Sequence, residues 1–289
     1  MKKIFLLCLC VAMTVAAMAQ EFNPVPRAWK WIGDSEVLFT YDGTYADSEA
    51  FAVDARTGSS RTGVSSPAKF SDFPVKPAGA VNMTYSPDST KIAFTRDNDL
   101  YVVDIATGDE TRLTFDGTDV ILNGYASWVY YEEILGRSSR YKAFWWSPDS
   151  KKIGFYRFDN TEVPMFPIYS AFANPAAAAS QSQSPRVTDL GIGGALSETR
   201  YPKCGQTNPQ VRIGIVDVAD SASEIVWADF DPTLDQYFGI PFWGPDSREF
   251  FIARMPRLQN TIDLYAVNVT DGSKRHVYNE TYKTWLNWF

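Results

Sequence analysis

Histidine is almost missing from this chain: there is one, His276, among 289 residues. A serine or cysteine nucleophile needs a positioned base, so any such catalysis here would have to recruit His276. That residue follows the Asp271-Gly272 hairpin signal and reads as a strand residue. A Gly-x-Ser-x-Gly elbow is also absent. The sequence therefore argues against a catalytic triad within this chain, and no catalytic residue is assigned in it. Walker loops, dinucleotide fingerprints and His-rich clusters are missing too, so neither a cofactor nor a metal ion is expected.

Cysteine is scarce as well, and two of the three, Cys8 and Cys10, lie in an apolar amino-terminal run. Residues 1–19 read as a secretory signal peptide: Lys2 and Lys3, an apolar stretch over 4–16, then Ala17-Met18-Ala19 before Gln20. The stretch falls short of the roughly 20 residues a membrane span needs. A lipoprotein is disfavoured because Leu9, ahead of Cys10, is too large for that position. With the leader removed, Cys204 is alone, which excludes an intrachain disulfide and a cysteine-built metal site. It reads as a small half-buried residue. Excess positive charge is lacking as well. The formal net charge is −7, which argues against nucleic acid as a partner. The short basic leader points to a bacterium and the periplasm.

What the chain has is aromatic residues, at 15%, and repetition. Tyr85-Ser86-Pro87-Asp88-Ser89, Trp146-Ser147-Pro148-Asp149-Ser150 and Trp243-Gly244-Pro245-Asp246-Ser247 share one tight turn, with a degenerate copy at Trp31-Ile32-Gly33-Asp34-Ser35. Apolar strands are expected after them at 36–41, 91–96, 151–157 and 248–254. A second pattern follows. Asp99-Leu100-Tyr101-Val102-Val103-Asp104 and Asp263-Leu264-Tyr265-Ala266-Val267-Asn268 run into glycine hairpins at Gly108 and Gly272, with a looser version ending at Gly58. Turn, strand, strand, hairpin, strand is one four-stranded propeller blade of about 40–50 residues. The expected fold is all-β, a propeller of antiparallel blades, with about four to five of them present. The interval between Pro87 and Pro148 carries an insertion around 123–140. The wider one between Pro148 and Pro245 reads as two blades, one without the turn, and contains a polar small-residue loop over 171–184. The chain stops on the aromatic Trp285-Leu286-Asn287-Trp288-Phe289, which reads as a strand cut from a longer precursor.

The insertion holds the adjacent carboxylates Glu132 and Glu133, beside Trp128, Tyr130, Tyr131 and Ile134. Adjacent glutamates on a loop are commonly just solvated. Here the apolar neighbours would exclude water and strengthen charge interactions. Two carboxylates facing one ammonium give charge-assisted hydrogen bonds to its three N–H donors. Asp159, Asn160 and Glu162, ahead of Pro164, read from residue type as a turn between strands.

The stretch from Trp128-Val129-Tyr130-Tyr131-Glu132-Glu133-Ile134 to Asp159-Asn160-Thr161-Glu162-Val163-Pro164, with Tyr201-Pro202-Lys203 and Asn208-Pro209-Gln210-Val211, resembles the N-terminal β-propeller of the dipeptidyl peptidase IV family, in the prolyl oligopeptidase clan. The resemblance implies that Glu132 and Glu133 grip the free amino terminus of a peptide, with Tyr131, Asp159 and Asn160 in support. It implies an eight-bladed propeller, of which this chain holds part. It also implies a C-terminal hydrolase domain beyond this chain, removal of N-terminal dipeptides with proline preferred second, and a homodimeric full-length enzyme. A tripeptidyl activity would use the same glutamates. The family's carbonyl-binding arginine has no confident counterpart here. The competing reading is a non-catalytic periplasmic propeller that binds a protein partner.

Overall fold

The computed structural model describes residues 27–32, 35–40, 51–62, 73–170, 186–190, 194–219 and 224–287. The leader over 1–19, the loop over 171–184, Gly33 and Asp34 of the degenerate turn, and the terminal Trp288 and Phe289 lie outside them. The chain divides into two units, Met1–Phe73 and Pro74–Phe289.

In the first unit, strands β1 (Arg27–Ile32), β2 (Glu36–Thr40), β3 (Phe51–Asp54) and β4 (Ser60–Arg61) form one antiparallel meander. Leu38 and Ala52 are buried, and Phe39 stacks on Phe51 with centroids 5.4 Å apart. Asp54 closes the β3–β4 hairpin by accepting the Arg56 and Thr57 N–H groups, and Gly58 takes the positive φ the turn requires.

The second unit repeats this plan. Strands β5 (Val81–Tyr85), β6 (Lys91–Arg96), β7 (Asp99–Asp104) and β8 (Glu110–Arg112) make one meander. Strands β9 (Ile121–Asn123), β10 (Phe144–Trp146), β11 (Lys152–Asp159), β15 (Gln210–Asp217) and β16 (Val226–Trp227) make the next. A further sheet holds β17 (Gln236–Phe238), β18 (Phe242–Trp243), β19 (Glu249–Pro256), β20 (Thr261–Asn268) and β21 (Lys274–Thr281). Every pairing among the described residues is antiparallel, and no sheet closes on itself.

The shared turns link successive blades. Ser150 Oγ accepts the Asp88 N–H at 3.1 Å, and Ser247 Oγ accepts the Asp149 N–H at 3.1 Å. The tryptophans before the second and third turns reach back likewise: Trp146 Nε1 donates to the Thr84 carbonyl and Trp243 Nε1 to that of Trp145. In the two turns that carry a serine before the proline, its hydroxyl donates to the aspartate carboxylate, Ser86 to Asp88 and Ser147 to Asp149, both at 2.6 Å; the third turn has Gly244 there. The Pro-Asp-Ser signal thus shapes its own turn and fixes the spacing to its neighbour.

One expectation is corrected. The interval between Pro148 and Pro245 holds one blade with an excursion, rather than two blades in series. β11 pairs with β15 over eight residues, from Lys152↔Asp217 to Asp159↔Gln210. Between them the chain leaves to form a three-stranded sheet, β12 (Met165–Ser170), β14 (Ala195–Arg200) and β13 (Arg186–Asp189), in the order β12-β14-β13. The turn is absent from this part of the sequence because no blade begins there.

Aromatic side chains fill the space between sheets. Phe155, Tyr156, Phe158, Phe238 and Phe250 are fully buried. Gly154 is dictated by this packing: a Cβ there would lie 2.5 Å from the Phe250 ring. The sheets approach closely only because that strand position is bare.

Candidate functional site

The edge strand of the middle blade is split. β9 pairs with one end of β11 (Arg157↔Asn123 to Asp159↔Ile121) and β10 with the other (Phe144↔Phe155 to Trp146↔Ile153). Between these halves the chain leaves the sheet as residues 124–143, the insertion expected around 123–140, and this segment carries both glutamates. Its neck is hydrogen-bonded shut. Gly124 N–H donates to the Tyr156 carbonyl, Ala143 N–H to that of Gly124, and Ala126 N–H to that of Tyr141. Gly124 has a φ of +69°, where a side chain would be strained and would press on Leu100 and Phe144.

A buried carboxylate fixes where the neck begins. Asp99 is 1% exposed. Its Oδ1 accepts from Thr114 Oγ1 (2.6 Å), Asn123 Nδ2 (3.0 Å) and Gly117 N–H (3.2 Å), and its Oδ2 from Arg112 (2.5 Å). Asn123 Nδ2 also reaches Asp116, which pairs with Arg157 at 2.7 Å. Burial alone would raise the Asp116 carboxyl. The hydrogen bonds from Arg157 and Asn123 outweigh it and leave the group below its ordinary value.

The glutamates sit on a single π-turn, Tyr130–Ile134, closed by the Leu135 N–H on the Tyr130 carbonyl at 2.7 Å. Tyr130 and Ile134 are its buried residues. The Tyr130 ring lies edge-on to Phe158 and Tyr156, at 4.8 and 6.3 Å between centroids. Its hydroxyl accepts the Phe238 N–H of β17 at 3.1 Å. That burial pushes the Tyr130 hydroxyl pKa far up. The turn is therefore anchored to two blades at once, which aims the intervening Glu132 and Glu133 outward.

The two carboxylates are not equivalent. Glu132 is 20% exposed and both its oxygens are engaged: Oε2 accepts the Trp128 indole N–H at 2.7 Å, and Oε1 pairs with the Arg137 guanidinium. Glu133 is exposed and has no hydrogen-bond or ion-pair partner among the described residues. Tyr131 stacks on Tyr141 at 3.8 Å, and Tyr141 on Tyr125 at 4.9 Å. Trp128 meets Tyr131, Tyr141 and Tyr201 edge-on, at 5.9, 6.4 and 6.2 Å. Arg140 and Tyr141 both have positive φ, at 50° and 70°. This is costly for side-chain-bearing residues and turns the chain back so that Tyr141 slides under Tyr131.

The polar residues beyond β11 divide. Asp159 Oδ1 accepts the Thr161 N–H at 2.9 Å, the turn expected from residue type. Glu162 is exposed. Asn160 is 5% exposed and lines a small cleft with Ser127, Trp128, Thr199 and Arg200, with room for about one water molecule. Asn160 Oδ1 and Ser127 Oγ have no hydrogen-bond partner among the described residues. Arg200, at the end of β14, donates to the carbonyls of Asn160, Thr161 and Val163, at 3.0, 3.1 and 2.8 Å, and so ties the turn to that strand.

Sequence reasoning thus assembled Trp128, Tyr131 and the glutamates, and missed Tyr125, Tyr141, Arg137 and Arg200. An arginine four or five residues beyond paired glutamates was the available signal for Arg137. The tyrosines had none, since the left-handed residues that bring Tyr141 back are not glycines. His276 lies on β21 beside Tyr265, with Nε2 3.2 Å from Asp263 Oδ1, as a strand residue should. Cys204, expected half-buried, is exposed, because it falls in a surface turn after β14 and not in a strand.

Repeated blades linked turn to turn, with an acidic π-turn rising among aromatic rings from a split edge strand, define a β-propeller region. The model of the family described as "Dipeptidyl peptidase IV (DPP IV) N-terminal region" matches residues 50–288, and the chain belongs to that family. Among curated relatives, "Probable dipeptidyl peptidase 4" of Aspergillus flavus is 32% identical over 206 residues, covering 70% of this chain and 24% of the relative. "Probable dipeptidyl-aminopeptidase B" of Talaromyces marneffei is 30% identical over 183 residues, covering 57% of this chain and 19% of the relative. The chain thus spans less than a quarter of these relatives' length. The crystal structure of Porphyromonas gingivalis dipeptidyl peptidase 4 superposes on 89% of this chain and 31% of its own, with a TM-score of 0.59 and 21% identity, a likeness of fold.

Proposed function

We propose that this region selects and anchors substrates for a secreted dipeptidyl peptidase IV-like serine peptidase, with Glu132 and Glu133 receiving the ammonium of a peptide's free amino terminus. One observation carries the reading. An unpartnered, exposed Glu133 stands beside a Glu132 whose carboxylate is aimed by the Trp128 indole, on a turn locked to two blades. An ammonium has three donors, and two fixed carboxylates are a matching acceptor set. An anchor at a set distance from the cutting point makes an enzyme count residues from the amino terminus. Release of dipeptides, with proline preferred second, is the corresponding activity. Tyr131 walls the site, while Asn160 and the Asp159 turn brace its flank.

In this reading residues 1–19 are a removed leader, residues 20–289 belong to the propeller, and the serine, aspartate and histidine that cut the peptide lie in a hydrolase domain outside this chain. The relatives named as dipeptidyl peptidases support the reaction class, and the basic leader supports export to the periplasm.

The test uses the full-length enzyme with Glu132→Gln and Glu133→Gln. A charge-assisted hydrogen bond is worth roughly 1.5–3 kcal/mol. Each variant should therefore lose about ten- to a hundredfold in kcat/KM on a free-amine Xaa-Pro substrate, at 1.36 kcal/mol per decade. An ester probe that needs only the serine should be cut nearly as well as before. Unchanged kcat/KM on the free-amine substrate in both variants would refute the assignment.

A further inference from the structure

The site already contains a cation. Arg137 lies on a short 3₁₀ turn, Arg137–Ser139, entered through Gly136 at a φ of +76° and left through Arg140 in the left-handed region. Its side chain is 69% exposed, and its ion-pair partner is Glu132. Glu132 is thus the more buried carboxylate, and it is occupied on both oxygens, whereas Glu133 beside it is open.

We propose that Arg137 sets the affinity of this site for peptide amino termini by competing with the incoming ammonium for Glu132. The inference rests on the reading of the glutamates as the amine anchor and adds a specificity-determining residue to it. A guanidinium and an ammonium held on the same carboxylate oxygen repel each other. The Trp128 indole is neutral and can stay in place. Arg137, on a long and largely exposed stem, is the group free to swing away. With it in place the two glutamates and the arginine carry one net negative charge, and with it gone they carry two. Peptide capture therefore includes breaking an internal ion pair. Glu133 makes first contact, and Glu132 becomes available as Arg137 withdraws.

The test follows the Trp128 indole N–H by nuclear magnetic resonance in the 289-residue chain, with its signal assigned by loss in Trp128→Phe. The probes are the tripeptide Ala-Pro-Ala and its N-acetyl form, titrated into the native chain, Arg137→Gln, Arg137→Lys and Glu133→Gln. In Arg137→Gln the peptide-free indole signal should move, because its acceptor has lost a counter-charge. Ala-Pro-Ala should bind this variant roughly three- to fivefold more tightly than the native chain, the scale of an exposed ion pair. The gain should shrink at high salt. Arg137→Lys, which keeps the charge, should stay near the native affinity. Equal or weaker binding by Arg137→Gln would overturn the proposal, as would an unmoved indole signal, since Arg137 would then be a bystander or a support for Glu132. A different pattern marks failure of the underlying reading. Acetylated and free peptides would bind alike in every protein, or Glu133→Gln would leave the free-peptide affinity unchanged, and the competition proposal would fall with the anchor.

Discussion

Replacing Tyr130 by phenylalanine isolates the joint that aims the glutamate turn. The ring is retained, so its packing against Phe158 and Tyr156 is unchanged. What disappears is the oxygen that accepts the Phe238 N–H at 3.1 Å. β17 is an edge strand, paired with β19 on one side only. Gly239, next in sequence to Phe238, donates its N–H across that pair to Ala253. Phe238 N–H points the other way and has the Tyr130 hydroxyl as its partner. Both residues are fully buried, so water does not readily replace the lost acceptor. A buried donor left without a partner costs about 1–3 kcal/mol. At roughly 2–4 °C per kcal/mol for a domain approaching this size, the melting temperature should fall by about 2–12 °C. The assay is thermal or urea unfolding of the native chain and Tyr130→Phe side by side, followed by near-ultraviolet circular dichroism and by far-ultraviolet signal. A change in stability below about 0.5 kcal/mol, within the range of an ordinary surface substitution, would refute the argument. Phe238 N–H would then have another partner, and the π-turn would not be pinned to β17.

Two further perturbations probe the blades themselves. Gly154→Ala places a methyl 2.5 Å from the Phe250 ring; overpacking of this kind costs about 1–3 kcal/mol, and calorimetry of the variant should show a lowered transition, whereas unchanged stability would mean the ring moves freely. Burial acts to raise the Asp88 and Asp149 carboxyls, but their serine hydroxyl and backbone N–H partners outweigh it and hold both below the usual aspartate value. Their contribution is therefore present above the unfolded aspartate pKa near 4 and is lost as pH falls through the lower folded values. Unfolding midpoints measured between pH 6 and about 2.5 should drop at the acid end, and the drop should be shallower in Asp88→Asn with Asp149→Asn; an identical pH profile would remove these turns from the acid response.

The blade plan was legible because it is local. A Pro-Asp-Ser turn preceded by an aromatic residue and followed by an apolar strand is complete within about a dozen residues, and each recurrence announces a blade. The glutamate pair was legible for the same reason, since Trp128 to Ile134 is one continuous motif. What escaped depends on contacts between distant segments. The excursion that forms β12, β13 and β14 carries no signal that it starts inside a blade, because only the Asp159↔Gln210 register reveals it. The stack of Tyr125, Tyr141 and Tyr131 depends on two non-glycine residues in the left-handed region, which strand and turn propensities do not anticipate. Arg200 holds its turn through three carbonyls, acceptors every residue has, so no side-chain pattern could announce it.

The excursion between β11 and β15 has a consequence for how the molecule assembles. Asp159 and Gln210 lie side by side, yet about fifty residues of chain separate them, and that whole interval must be looped out before the central strands of the middle blade can pair. The equilibrium cost is small, since each doubling of loop length adds only about 0.6 kcal/mol. The kinetic cost is larger, because non-local pairing slows folding. The meander β5 to β8 joins neighbours through short hairpins and can form as soon as its residues are available. The middle blade must wait for β15, and until it arrives β11 lacks its partner on that side. The glutamate turn hangs from β11's opposite edge and borrows its anchor from β17, later still in the chain. Completion of the site is thereby tied to completion of the blades around it, so an ordered Glu132–Glu133 pair reports a finished fold.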